Sequence, residues 1–138
     1  MKGHLRIINL SSGKVEFEKD NLIVDKAVEL MIDRLKDNTK SFLDYVAIGT
    51  GTTAPATSDT ALETEVFRKQ ATGKDATTTQ LKVRVQVTDS EAVFTWKEIG
   101  VFNDASAGEM FNRIAVDYTK SALDAVEVEF VFTFERGV

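Results

Sequence analysis

Residues 126–134, VEVEFVFTF, decide the fold. Val126, Val128, Phe130, Phe132 and Phe134 alternate with Glu127, Glu129, Val131 and Thr133, the two-residue period of a strand with one face in a core. Burying five such side chains at roughly 1.5–3 kcal/mol each gives gross stabilisation on the order of 10 kcal/mol before chain entropy. This strand is therefore central to the core. The same alternation recurs upstream, where Leu81, Val83, Val85 and Val87 are separated by Lys82, Arg84 and Gln86. Asp89-Ser90-Glu91 makes a turn, and Val93 to Asn103 returns as a strand, with Gly100 a bulge or a point of close approach. Asp104 to Gly108 is a polar loop, Glu109 to Asp117 a further strand, and Tyr118 to Ala125 a longer connection.

The first half is more mixed. His4 to Leu10 and Lys14 to Glu18 read as a hairpin turned at Ser11-Ser12-Gly13. Asn21 to Asp37 predicts the one clear helix, because Val24, Ala27, Val28, Met31, Ile32 and Leu35 fall on one stripe. Asp20 or Asn21 is placed to cap it. Such a stripe usually packs on a sheet, and its polar side lacks the Lys/Arg excess of a membrane-surface helix. Phe42 to Ile48 reads as a strand and Gly49 to Asp59 as a long loop. Thr60 to Lys69 reads as a helical turn passing into a strand, and Ala71 to Thr79 as a mobile loop. These elements predict a mainly β fold in a single domain over residues 1–138: an antiparallel β-sandwich of about seven strands with one amphipathic α-helix near the N-terminus.

Composition narrows the function classes. The chain has 138 residues and a formal net charge of −5, which argues against a sequence-independent nucleic-acid coat. With no cysteine, neither a disulfide nor a thiolate metal site can form. The N-terminal MKGHLRIINLSSGK lacks the apolar core of a signal peptide. No apolar run reaches the ~18 residues of a membrane span.

Candidate chemistry is sparse. Gly49-Thr50-Gly51 suggests a phosphate loop, but Pro55 and small residues follow and no lysine appears until Lys69. The plainer reading is a turn in which glycine relieves backbone strain. His4 is the only histidine, and nothing positions it against Ser11 or Ser12 as a catalytic triad. Asp104 to Glu109 is the least implausible calcium loop, without the spacing such loops need. Glu127 and Glu129 have the arrangement of a glycosidase pair, although alternating glutamates on a solvent face are commoner. Phe94, Trp96 and Tyr118 are read as core packing ahead of a carbohydrate platform. The expectation is a protein without catalytic residues, metal or cofactor.

Several blocks together carry a resemblance. They are Asn21-Leu22-Ile23-Val24 entering the helix, then Val46-Ala47-Ile48-Gly49-Thr50-Gly51-Thr52-Thr53-Ala54-Pro55 and Ser58-Asp59-Thr60-Ala61-Leu62. Next come Glu65-Val66-Phe67-Arg68-Lys69, Trp96-Lys97-Glu98-Ile99-Gly100-Val101-Phe102-Asn103, Arg113-Ile114-Ala115 and Phe130-Val131-Phe132-Thr133-Phe134. In order and spacing they resemble bacteriophage tail-fibre and tail-associated virion structural proteins. The resemblance implies a non-enzymatic role in the virion, assembled in the bacterial host cytoplasm. It also implies a symmetric homo-oligomer, by analogy a trimer, with other phage tail or head proteins as partners, and neither nucleic acid nor membrane. Because Val138 follows soon after the last strand, a compact tail-fibre, collar or baseplate adaptor is expected rather than a fibre shaft. Capsid decoration or a head fibre is the alternative, and a small carbohydrate-binding β-sandwich a third. The loop of Gly49, Thr50, Gly51, Thr52, Thr53, Pro55 and Asp59 is the candidate assembly loop, long enough to dock into a neighbouring subunit.

Overall fold

A computed structural model describes residues 1–37 and 39–135. Nine strands and one helix follow in the order β1 (Lys2–Asn9), β2 (Val15–Ile23), α1 (Asp25–Lys36), β3 (Tyr45–Gly49), β4 (Glu65–Gln70), β5 (Gly73–Ala76), β6 (Gln80–Val87), β7 (Thr95–Phe102), β8 (Met110–Thr119) and β9 (Val126–Thr133). The strands lie in the order β4-β3-β7-β8-β2-β1-β9-β6-β5, and their pairings are antiparallel. The sheet curls into a half-barrel.

The curl is set where the sheet is thinnest. β2 and β8 share only Leu22↔Arg113 and Ile23↔Asn112. This short join lets the wing β4-β3-β7-β8 fold over the wing β2-β1-β9-β6-β5, so that both contribute to one core. Leu5, Ile7, Val83, Val85, Val128, Phe130 and Phe132 come from one wing; Val46, Ile48, Trp96, Ile99, Val101 and Ile114 come from the other. The alternation in β9 works as expected, with Val126, Val128, Phe130 and Phe132 fully buried. Phe134 lies just past the strand end and is half-buried.

The mainly β, antiparallel fold with one helix agrees with the sequence, but two parts of the expectation are corrected. The strands number nine, and they form one continuous sheet, not the two sheets of a closed sandwich. One reason is that β2 continues through Lys19 and Asp20, polar residues that mimic a strand end but pair with Leu5 and His4. Its extension to Ile23 stitches the two wings together. The other reason lies at residues 65–76. The segment expected to be a mobile loop contains β5, a strand with exposed residues and no apolar alternation. It is held by its ladder to β6 and by a 2.7 Å ion pair from Arg84 to Asp75. Ala71 donates its N–H to Asp44 O and Thr72 donates to Arg84 O, so successive amides reach opposite ends of the sheet. The chain itself thus bridges the open side of the half-barrel, running from β4 at one end of the sheet to β5 at the other.

The helix is also shorter than expected. It begins at Asp25 with Val24 as N-cap and no side-chain cap, because Asp20 and Asn21 belong to β2. Ala27 and Leu30 are buried against the sheet, whereas Val28, Ile32 and Leu35 of the expected stripe face outward. The helical turn expected after Thr60 is absent, and residues 60–64 run as irregular chain. No helix among the described residues is long and apolar enough to cross a membrane.

Phe132 packs edge-on to Phe111 at 4.8 Å between ring centroids and parallel to Phe130 at 5.9 Å. Replacing it with a charge leaves that charge unpaired in the core. Phe132→Asp is expected to abolish cooperative unfolding in thermal circular dichroism; a native-like transition in that variant would refute the placement of β9.

Candidate functional site: the β3–β4 loop and its buried latch

Residues 98–102 of β7 and 110–114 of β8 are buried on both faces. The inner face joins the core. The outer face, carrying Glu98, Gly100, Phe102 and Arg113, lies beneath residues 50–64, the loop between β3 and β4. Two register shifts between β7 and β8, at Trp96/Glu98 and at Val101/Phe102, divide the side chains between these faces. The second shift is plugged by Asn112, whose side-chain oxygen accepts the Val101 N–H at 3.0 Å.

Glu98 is fully buried, and its carboxylate organises the loop. Oε1 accepts the N–H groups of Gly51 at 3.0 Å and Thr64 at 2.7 Å. Oε2 accepts Glu63 N–H at 2.9 Å and Arg113 Nε–H at 2.9 Å, with Arg113 Nη2 also at 2.9 Å. Arg113 donates its remaining arm, Nη1, to Asp59 Oδ2 at 3.0 Å. That same oxygen accepts Ala56 N–H at 2.9 Å. Burial works against the Arg113 charge, but the hydrogen bonds and charges of Glu98 and Asp59 outweigh it and raise its pKa. Beside this network, Glu63 accepts hydrogen bonds from Thr53 and Thr52, which hold its carboxyl below the usual range against a smaller opposing effect of desolvation.

This network corrects the reading of Gly49 and Gly51 as backbone strain relief. Neither has positive φ; among the described glycines only Gly13 and Gly108 do. Space is the constraint. A Cβ at either position would lie 2.6 Å from Glu98 Oε1. Gly100 is fixed in the same way, since a Cβ there would meet Asn112 O at 2.8 Å and the Leu62 side chain at 3.3 Å. It is a point of close approach.

The expected assembly loop is therefore tied to its own sheet. Gly49 and Gly51 are buried, Pro55 and Asp59 are half-buried, and Thr50, Thr52 and Thr53 are exposed. Asp25 N–H donates to Thr57 O, so the loop also fixes the start of α1. Further along, Arg68 lies over the Phe102 ring at 3.9 Å, is paired with Glu65, and donates to Asp104 O and Ala107 O. The blocks around residues 49, 59, 68, 98 and 113, distant in sequence, meet on one outer face. Sequence reasoning quoted Glu98 and Arg113 within these blocks but gave neither a role. The available signal was an acid and a base each followed directly by isoleucine inside largely apolar strands.

The other candidates lie elsewhere. Ser11 and Ser12 sit in the turn at the far end of the hairpin from His4, with their N–H groups on Asn9 Oδ1. Glu129 is not solvent-facing: it is buried, with Arg6 at 3.0 Å and Lys82 at 3.9 Å, while Arg84 reaches Glu127 at 3.9 Å. Trp96 is fully buried and donates its indole N–H to Ala92 O at 2.8 Å. Tyr118 packs against it at 5.1 Å and donates its hydroxyl to Glu16, and burial raises its pKa. Among the described residues no three His, Cys, Asp or Glu side chains are grouped to hold a metal ion. Glu109 of the Asp104–Glu109 loop is instead paired with Lys40 at 2.7 Å.

His4 lies between Glu18 and Asp20, each 2.7 Å from one ring nitrogen. Desolvation lowers its pKa, but the hydrogen bonds and charges of Asp20 and Glu18 together outweigh it and raise the pKa above 6.5.

Comparison with known proteins returned no match, whether to a family model, a curated protein or a solved structure.

Two predictions follow from these contacts. Glu98→Gln leaves Arg113 buried with only Asp59 as a charged partner, and breaking such a pair costs about 3–5 kcal/mol. A lower denaturation midpoint, with faster hydrogen exchange at the Gly51, Glu63 and Thr64 amides, is expected; Gly51→Ala should produce the same exchange pattern by displacing the carboxylate. Unchanged exchange in both variants would contradict the latch. For His4 the folded-state pKa is raised, so its stabilising contribution is complete below pH 6.5 while its partners stay ionised, and fades as pH rises through the folded value. A proton NMR titration should give a His4 pKa above 6.5, and a value at or below it would count against the pairing.

Proposed function

We propose that this chain is a non-enzymatic structural protein of a bacteriophage virion, attached to the tail as a fibre, collar or baseplate adaptor. One observation carries the reading. Four of the sequence blocks that resemble tail-associated proteins, those holding Gly49 and Gly51, Asp59, Glu98 and Arg113, converge on a single physical unit, the Glu98–Arg113–Asp59 latch with its glycines. A resemblance made of residues that depend on one another is more specific than one made of scattered matches. It extends to a loop course and a sheet face, which are structural features and not a reacting centre. A scaffold role also suits a sheet wing packed on both faces, since rigid elements hold position under load. By the same analogy the chain assembles as a symmetric oligomer, with a trimer as the first expectation.

Immunogold electron microscopy with antibody to the purified chain, on intact and disrupted phage particles from the source culture, tests the reading. Label at the tail, neck or baseplate is the expected result. Label spread over the head would replace it with capsid decoration, and no label on either preparation, with positive controls in place, would overturn the virion role.

A further inference from the structure

Nine large apolar side chains are strongly exposed among the described residues, and four of them, Val28, Ile32, Leu35 and Phe42, are on α1 or in the segment just after it. Their exposures are 47, 58, 89 and 64% respectively, so the outer side of the helix is as apolar as a side that is meant to be covered. A groove of about 330 Å³, lined by Met31, Leu35, Phe42, Leu81 and Phe134, continues this strip toward the sheet. The helix thus has two apolar sides. Ala27 and Leu30 bury one in this chain, while Val28, Ile32 and Leu35 present the other.

Two features of the outer side identify what covers it. The first is spacing. Val28, Ile32 and Leu35 stand four and then three residues apart, the seam of a helix that packs against another helix. The second is charge. In heptad terms, with Val28 and Leu35 at d and Ile32 at a, the flanking e positions are Glu29 and Lys36. The acid is in the N-terminal half and the base in the last turn. In an antiparallel pair, e positions face e positions. A second copy then sets its Lys36 against Glu29 and its Glu29 against Lys36, whereas a parallel pair sets e positions against g positions, which here are the uncharged Val24 and Met31. The antiparallel arrangement also opposes the two helix dipoles. Within one chain Glu29 is bonded to Lys26 at 2.7 Å, and Lys36 is 3.7 Å from Asp37. These are exposed pairs of little individual strength and are free to exchange partners.

We propose that the outer face of α1 is a two-fold contact surface for a second copy of this chain, packed with the helices antiparallel about the Val28–Ile32–Leu35 seam. The contact is isologous, the same patch on both copies. It is inferred from this surface alone and is independent of the virion reading.

Sedimentation velocity of the full chain, up to about 0.5 mM, tests it. Wild type is expected to show a concentration-dependent dimer. Ile32→Glu should remove the dimer while keeping the native circular dichroism spectrum, because Ile32 is more than half exposed. Glu29→Lys alone and Lys36→Glu alone place like charges across the two-fold axis and should each weaken the dimer about tenfold. The double variant should return it to near the wild-type constant, since both cross-pairs are then reversed together. A monomer at the highest concentration overturns the proposal. So does a dimer whose strength ignores Ile32→Glu, or one that the double charge swap fails to restore. A three-copy assembly insensitive to these variants also overturns it, yet leaves the symmetric-oligomer reading standing.

Discussion

The β3–β4 connection over the outer face of the β3-β7-β8 wing is organised by one carboxylate fully shielded from solvent. Moving a charged group of this kind out of solvent costs several kcal/mol, and only close, complete hydrogen bonding offsets it. Glu98 meets that demand with three backbone amides from the β3–β4 connection and two donors of Arg113. Each partner then carries its own requirement. The amide of Gly51 can reach only if no Cβ intervenes, Glu63 and Thr64 must turn their N–H groups inward, and Arg113 needs Asp59 for its third nitrogen. A buried ion pair of this sort adds less to net stability than it adds to uniqueness, since any other course of the loop would strand a charge. The loop is long and rich in small residues, yet its course is fixed.

The half-barrel has a second dependence, on strand ends. β2 must run to Ile23 for the wings to join, and the chain at 70–73 crosses the open side from β4 to β5. Asp44 serves the crossing twice, taking the Ala71 amide on its carbonyl and holding Lys74 at 2.7 Å on its carboxylate. Gln70 adds a 2.6 Å bond to the same carboxylate. Burial opposes ionisation of Asp44, and the bonds from Lys74 and Gln70 outweigh it to lower its pKa. The crossing is therefore made largely by polar contacts, with Ala71 packed against the core.

That distinction explains what the sequence disclosed. β6 and β9 were legible because their period-two alternation directly reflects one buried face. The same logic failed where burial was absent or double. β5 is largely exposed and Lys19 and Asp20 of β2 are exposed, and ladder hydrogen bonds, which leave no hydropathy pattern, hold them. In the middle of β7 and β8 both faces are buried, so Trp96 to Phe102 reads as a strand without revealing that Glu98 is enclosed by the β3–β4 connection. The glycines of the β3–β4 connection were noticed but given the wrong cause, since a steric requirement imposed from residue 98 is invisible locally. The amphipathic helix was recognised, but one stripe cannot say which part of it meets the sheet, and a cap was sought at Asp20 and Asn21 while a strand still claimed them.

The two proposed assembly surfaces, the β3–β4 loop and the outer face of α1, draw on different groups. A loop whose amides are consumed by Glu98 is not free to unfold into a neighbour, because doing so would abandon a buried carboxylate and a buried guanidinium together. Its exposed side chains, among them Thr50, Thr52, Thr53, Ala54, Thr57 and Ser58, remain available. The outer face of the β1-β9-β6 region is likewise satisfied internally by Arg6, Lys82, Arg84, Glu127 and Glu129 in cross-strand pairs. Among the described residues this leaves α1 as the continuous surface that is both apolar and exposed, bordered by charges in a self-complementary order. A contact there uses side chains that folding has not already engaged, so association and folding do not compete for the same groups.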